Sequence, residues 1–320
     1  MTKQYKHAIG VDIGGTNIKL GIISNSGKIV KKTMVKTMGD GGPRVVVSQL
    51  KKGINGLLQK NKLKISGIGI GCAGTVIQSK GIVVNPPNLP GWGRVGLGNI
   101  IKKEFGLSVF LDNDANAAAI GEMHFGSGKK LNSFIMVTLG TGIGGGIIID
   151  RNIYHGDFGA AGEIGHSVID VYGPECKCGS YGCIEAYVGN HYLVKRIQSE
   201  IKRKPDSKIW GFVNNNIENL SPRIIDEAAQ AGDKYAKEII KQTGEYLGCA
   251  FASWANILDI STFVVGGGVA GFGTPLITAA YNKTVERVLI PLKKRIKVIP
   301  AKLKNDAGIK GASALVFYKN

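Results

Sequence analysis

No stretch of this 320-residue sequence approaches the roughly 20 consecutive apolar residues that a membrane span requires. The first residues, Met1-Thr2-Lys3-Gln4-Tyr5-Lys6, contain no hydrophobic segment of the signal-peptide kind. Cysteine is sparse, five in all, and the odd count without a secretion signal argues against a disulfide framework. There is no G-x4-G-K-[ST] string, which excludes a P-loop enzyme. Acidic residues are few, 23 against 41 Lys and Arg, so the net charge is +18. That excess raises nucleic acid as a partner. The lysines are scattered, however, and even the runs Lys202-Arg203-Lys204 and Lys293-Lys294-Arg295 form no zinc-finger, RRM or basic-zipper pattern. They read as solvated surface, with a basic field that also attracts anionic substrates. Charged residues total 20%, too few for a disordered chain. The expectation is a cytoplasmic globular protein with no nucleic-acid or membrane partner.

Glycine is abundant: 47 residues, about twice the usual share, with no triplet period. The glycines gather at the ends of apolar runs, where tight turns and phosphate-cradling loops are built. The length suggests about two domains. Residues 7–35 read as a β-meander and 43–60 as an amphipathic helix. A buried strand follows at 65–71, a rigid Pro-rich loop at 85–93, a helix at 99–105 and a strand at 108–111. A helix begins at Asn113-Asp114 and runs to Phe125, and two strands about a Gly loop fill 133–150. Further helices are expected at 186–203, 222–231, 233–257, 274–290 and 306–318, with strands at 260–265 and 296–300. Cys72 and Cys249 lie in apolar stretches and read as buried small residues; His7, His124, His155 and His191 have no chemical company and read as structural.

Two segments echo each other. Val11-Asp12-Ile13-Gly14-Gly15-Thr16 leads into Gly21-Ile22-Ile23, and Val137-Thr138-Leu139-Gly140-Thr141-Gly142 leads into Ile147-Ile148-Ile149. Two such hairpins can clamp a polyphosphate with backbone N–H groups and a Thr hydroxyl. Gly140 to Gly145 also matches G-x-G-x-x-G, but a returning strand follows where the dinucleotide fingerprint needs a helix. In Asp12-x-Gly14-Gly15-Thr16-x-x-Lys19 the carboxylate at the strand end is suited to hydrated Mg²⁺. Glu163-Ile164-Gly165-His166, then Cys176-Lys177-Cys178 and Cys183-Ile184-Glu185, supply one His and three Cys, a tetrahedral zinc set at a spacing unlike zinc fingers.

Here the sequence resembles the sugar kinase, actin and Hsp70 superfamily and, through the Cys/His string, the ROK family of bacterial sugar kinases and repressors, most closely its glucokinases. The resemblance extends over essentially the whole chain, through both phosphate motifs, Asn88-Leu89-Pro90-Gly91-Trp92, Asn113-Asp114-Ala115-Asn116-Ala117, the zinc string and Gly266-Gly267-Gly268. It implies a two-domain α/β fold of the actin-like, ribonuclease-H-like kind with an active-site cleft between domains. The smaller domain would be 1–112 plus 301–320, and 113–300 the larger one carrying the zinc.

It also implies ATP-dependent phosphorylation of a hexose 6-hydroxyl with Mg²⁺ on the nucleotide, and a homodimer or homotetramer. Asp114 would be the base, against the plainer reading of a helix N-cap. Gly74, Asn88, Asn113, Glu163, His166 and Glu185 would hold the sugar, Glu163 and Glu185 as buried carboxylates. Asp12, Gly14, Gly15, Thr16, Lys19, Thr141, Gly142, Gly267 and Gly268 would meet the nucleotide, and His166, Cys176, Cys178 and Cys183 a structural zinc. The helix N-terminus should favour the carboxylate form of Asp114. The sugar stays open between glucose and an N-acetylhexosamine such as N-acetylmannosamine. Family repressors carry a helix-turn-helix segment ahead of the kinase-like part, and with a phosphate motif already at Asp12 none is expected here. A zinc-dependent sugar sensor would need the base lost, whereas Asp114 is present.

Overall fold

The structure, a computed structural model, describes residues 6–59 and 63–318. Residues 1–5 of the N-terminal stretch read above, and Lys60 at the end of the expected first helix, lie outside the described residues. In chain order, β1 (His7–Ile13), β2 (Asn17–Ser24) and β3 (Ile29–Lys36) form the expected meander. Helix α1 (Gly42–Leu58) has Pro in its first turn and buries Val46, Leu50, Ile54 and Leu57, the spacing that marks it in the sequence. β4 (Ile65–Cys72) follows, then β5 (Thr75–Ile77), β6 (Ile82–Val84) and β7 (Arg94–Val95). These three form a small antiparallel sheet about the Pro-rich loop. At two or three residues each they are too short to show a strand period. α2 (Leu97–Phe105) ends at the left-handed Gly106, and β8 (Val109–Asn113) runs directly into α3 (Asp114–Phe125).

Next come β9 (Phe134–Leu139), β10 (Ile143–Ile149), β11 (Asn152–Ile153), α4 (Ile184–Val188) and α5 (Asn190–Glu200). The helix expected over 186–203 is thus interrupted at Gly189, whose extended ψ ends one helix and starts the next. α6 (Ile209–Phe212), α7 (Pro222–Gln230), α8 (Lys234–Leu258), β12 (Thr262–Gly266), α9 (Thr274–Arg287), β13 (Lys297–Pro300) and α10 (Ala307–Tyr318) complete the chain. Ser221 and Asp233 cap α7 and α8 through their side-chain oxygens. Among the described residues no helix is long and apolar enough to cross a membrane.

The chain divides into two compact units. The first comprises Met1–Asn132, Gly146–Gly162 and Lys302–Asn320. Its sheet has the order β3-β2-β1-β4-β8, with β1, β4 and β8 parallel. α10 lies against this sheet so closely that a Cβ on Gly69 would fall 1.8 Å from the Ala312 carbonyl oxygen. Only glycine permits that approach. α3 packs on α10, so α3 belongs to this unit rather than beginning the second at residue 113. The edge strand β3 exposes Lys31, Lys32 and Lys36, charges that guard an open sheet edge.

The second unit comprises Ser133–Gly145 and Glu163–Ala301. β12 pairs in parallel with both β9 and β13. α8 packs on α9, and Phe251 of α8 stacks on Phe263 of β12 at 4.3 Å between ring centroids. The unit boundary falls within β10.

Candidate functional site

In the first unit, sheet register collects three chain reversals. Asp12 lies opposite Gly71, and Gly71 opposite Asp112; Ile13, Cys72 and Asn113 form the next row. The Gly14–Thr16 turn, the chain at Gly74 and the start of α3 therefore leave one sheet edge, at the carboxyl ends of parallel strands, where α/β sheets hold ligands.

Asn113 is the N-cap of α3. Its Oδ1 accepts from the N–H groups of Ala115 (2.8 Å) and Asn116 (3.4 Å), and its Nδ2 donates to the Gly74 carbonyl at 3.1 Å. One amide N–H of Asn113 is left for a ligand. Capping is thus done by the residue before Asp114, and the plain N-cap reading of Asp114 does not hold. Asp114 Oδ1 accepts from the Ala115 N–H at 2.9 Å. Water reaches the Asp114 side chain, yet protein atoms surround it densely. Desolvation by that surround raises its pKa, and backbone N–H groups pull it part of the way back. The N–H groups at the helix start do favour the carboxylate, as expected, but desolvation by the surrounding protein atoms outweighs them.

Asp12 is raised too, first by burial and then by the charge of Asp114, while Lys19, opposite it on β2, lowers it. The Cys72 thiol is pushed up to about 12 by burial and by both carboxylates. Asp12, Asp114 and Cys72 therefore share one field, a place suited to a cation. Gly15 and Thr16 are exposed at the turn. The turn is pinned by Thr37, whose hydroxyl donates to the Gly14 carbonyl at 2.6 Å. Asn88 is exposed and lies against Gly15.

In the second unit the Gly loop between β9 and β10 is tied to Glu185. The Ile143 N–H donates to Glu185 Oε2 at 2.8 Å, and a Cβ on Gly142 would fall 2.2 Å from the same oxygen. Gly165 passes against the Ile143 backbone, which brings the Glu163–His166 turn to the same loop. Glu185 is half-buried, but Glu163 is exposed, so the expectation of two buried carboxylates is corrected for Glu163. Neither makes an ion pair among the described residues. Gly267 has φ +97°, and a side chain there would meet the Leu139 carbonyl, whereas Gly268 has open space around it. A cavity of about 540 Å³ is lined by Thr141, Asn190, His191, Lys195, Gln198 and Ser221 among others; Gly267 and Gly268 are not part of its wall.

His166, Cys176, Cys178 and Cys183 come together with all ligand atoms within 4.8 Å of one another. His166 Nδ1 is 3.7 Å from Cys176 Sγ, and Cys178 Sγ is 3.7 Å from Cys183 Sγ. A tetrahedron with Zn–S bonds of ~2.3 Å has edges of about 3.8 Å, so these residues fit a zinc ion. Because Nδ1 faces the sulfurs, Nε2 of His166 points elsewhere and stays available.

Sequence reading missed three side chains. Asp112 is fully buried and sits one residue before the Asn-Asp pair. His155, read as structural and without company, pairs with it, Nε2 to Oδ2 at 2.8 Å. Thr37, just past β3, bonds to the turn of the first hairpin. An acid ending an otherwise apolar strand was the available signal for Asp112; nothing local marked His155. Cys249 is half-buried rather than buried.

Known proteins are similar to this chain in sequence and fold. A glucokinase of Thermotoga maritima is 33% identical over 96% of this chain and 96% of its own. A glucokinase of Halalkalibacterium halodurans is 34% identical over 96% of this chain and 94% of its own. The crystal structure of a ROK family glucokinase from Streptomyces griseus, in complex with glucose and AMPPNP, superposes with a TM-score of 0.84 at 32% identity, covering 97% of this chain and 98% of that one. The ROK family profile matches residues 8–319, and the chain belongs to the ROK family, with its actin-like α/β fold.

Proposed function

We propose that this protein transfers the γ-phosphoryl group of ATP to the 6-hydroxyl of a hexose, with glucose as the preferred sugar. The observation that carries this reading is the Asn113–Asp114 reversal at the end of β8, set beside Asp12 of the first Gly hairpin. Asp114 accepts the proton of the sugar hydroxyl as its oxygen attacks phosphorus. Its raised pKa makes it a better acceptor than an ordinary exposed aspartate. Asn113 offers its remaining N–H to a sugar oxygen, with Gly74 and Asn88 on the same side of the unit. Glu163, Glu185 and the free Nε2 of His166 take further hydroxyls; Glu185 keeps three lone-pair sites after binding the Ile143 N–H.

The Gly14–Thr16 and Thr141–Gly142 turns present N–H groups and hydroxyls to the phosphates. The cavity beside Thr141 has the size and the mixed polar and apolar lining for the nucleoside, with Gly267 and Gly268 at the neighbouring strand end. Asp12, moderated by Lys19, would hold the hydrated Mg²⁺ of the nucleotide, and that ion would supply neutralisation of charge on the phosphates. The glucokinase names of the relatives above favour glucose over an N-acetylhexosamine. The cytoplasm suits free thiols and ATP alike. Assembly as a homodimer or larger homo-oligomer is consistent with the exposed Ile257, Leu289 and Ile290 of the second unit.

A coupled ADP-release assay against glucose, mannose, fructose, N-acetylglucosamine and N-acetylmannosamine tests the reading. Glucose should show the highest kcat/KM. A higher value for N-acetylmannosamine would transfer the assignment to the N-acetylhexosamine kinases, and no turnover with any sugar would end the kinase reading.

The two Gly hairpins should respond differently to the same change. Gly14→Val crowds only the first turn, so nucleotide binding should collapse while sugar binding by the free enzyme survives. Gly142→Val also displaces Glu185, so calorimetry should show both ligands weakened. Intact sugar affinity in Gly142→Val would refute the role of Glu185.

The Cys176, Cys178, Cys183 and His166 set should hold one zinc per chain in a closed, four-ligand site. Bound there, zinc would order a Gly-rich segment with few apolar residues and hold the His166 ring. Cys178→Ser should raise the sugar KM and lower Tm together, with ATP affinity retained. Elemental analysis well under one zinc per active chain, or an unchanged sugar KM in Cys178→Ser, would overturn the proposal.

A further inference from the structure

Asp112 and Glu122 are the fully buried acids among the described residues, and both belong to the first unit. Glu122 holds the far end of α3, accepting from the N–H groups of Leu303 (2.8 Å) and Ser127 (2.7 Å). Asp112 does something else. Its Oδ1 accepts from the Asn113 N–H at 2.9 Å, from Asn116 Nδ2 at 3.0 Å and from Gln78 Nε2 at 3.3 Å. Two of those donors flank Asp114 on either side in sequence. Its Oδ2 faces His155 Nε2 at 2.8 Å. With Asp112 ionised, that ring nitrogen carries the proton and donates it. Of the four partners, only His155 is able to carry positive charge.

A carboxylate held at both oxygens has a fixed plane. Without the His155 bond, Oδ2 of buried Asp112 loses its partner, which a low-dielectric interior does not tolerate, and only the bonds to Oδ1 still restrain the carboxylate plane. The network would then readjust, and the Asn113 N–H and Asn116 amide would move with it. Asp114 lies between them, and a shift of about 1 Å in a reacting group is enough to cost on the order of a hundredfold in rate.

We propose that His155 is a positioning residue for phosphoryl transfer: through Asp112 it holds the Asn113–Asn116 turn so that Asp114 meets the sugar hydroxyl. The inference rests on the reading of Asp114 as the base. His155 follows β11 and precedes the Glu163 turn in the chain, so it also anchors the start of the segment leading to that turn.

Glutamine places Nε2 the same number of bonds from the backbone as histidine does; methionine matches its length without a donor. His155→Met should lower kcat about tenfold or more, while ATP affinity stays unchanged. His155→Gln should restore most of kcat. In an Asp114→Asn background, His155→Met should cause no further fall, because the two act through one step. Should His155→Met fail to fold, His155→Asn, whose amide is one bond too short, takes its place against His155→Gln.

Equal kcat in the Gln and Met (or Asn) variants would overturn the proposal. So would an undiminished effect of the donorless variant in the Asp114→Asn background, the mark of a merely structural role. The two readings fail separately. Near-normal kcat in Asp114→Asn alone refutes the base. An inactive Asp114→Asn with a fully active donorless His155 variant refutes only the positioning role.

Discussion

Parallel pairing of β1, β4 and β8 brings three chain reversals to one edge of the first sheet, and the chemistry of that unit depends on the register. A one-residue slip of β8 would turn Asp112 out of the interior and Asn113 into it. The register is itself locked by α10, whose backbone approaches Gly69 too closely for any side chain. Packing and the proposed chemistry are thus joined through the same strands: apolar side chains between the ends of β4 fill the core, while the residues just past the strand ends are the ones proposed to meet ligands.

The field at that edge is what burial makes of it. Asp12 and Asp114 are each raised by desolvation, and Asp12 further by Asp114, with Lys19 the nearby counterweight. Such an arrangement does not stabilise the fold. It resembles the strain that active sites hold in exchange for reactivity, relieved when a cation or a proton arrives. The second unit solves a different problem. Its Glu163–Glu185 stretch has too little apolar surface to order itself, and the Cys/His set, the Ile143–Glu185 bond and the close pass of Gly165 on β10 supply the constraint instead.

Much of this was legible in the chain because the informative residues are neighbours in sequence. Asn113-Asp114, Asp12 with its glycines, and the His166–Cys183 cluster all declare themselves within a few residues. What stayed hidden lies far apart along the chain. The contact of Gly142 with Glu185 and the bond of His155 to Asp112 are each tertiary, and neither leaves a local pattern. The assignment of α3 was obscured for another reason: it is buried on every side from Ala115 to Met123, so no apolar stripe reveals that α10 is its partner. The strands β5 to β7 are simply shorter than a period.

As the proposed proton acceptor, Asp114 would be a carboxylate whose charged form costs the fold stability, because desolvation raises its pKa. Thermal unfolding of the Asp114→Asn protein across pH, with kcat measured on the same preparations, tests it most directly. The folded-state pKa of Asp114 is raised, so its contribution to stability is complete below the unfolded value near ~3.9 and is lost as pH rises through the folded value. The variant should lose about a hundredfold or more in kcat, be more stable than the wild type at neutral pH, and show no such advantage below that window. A variant that keeps its rate, or that is less stable than the wild type at neutral pH, would contradict it.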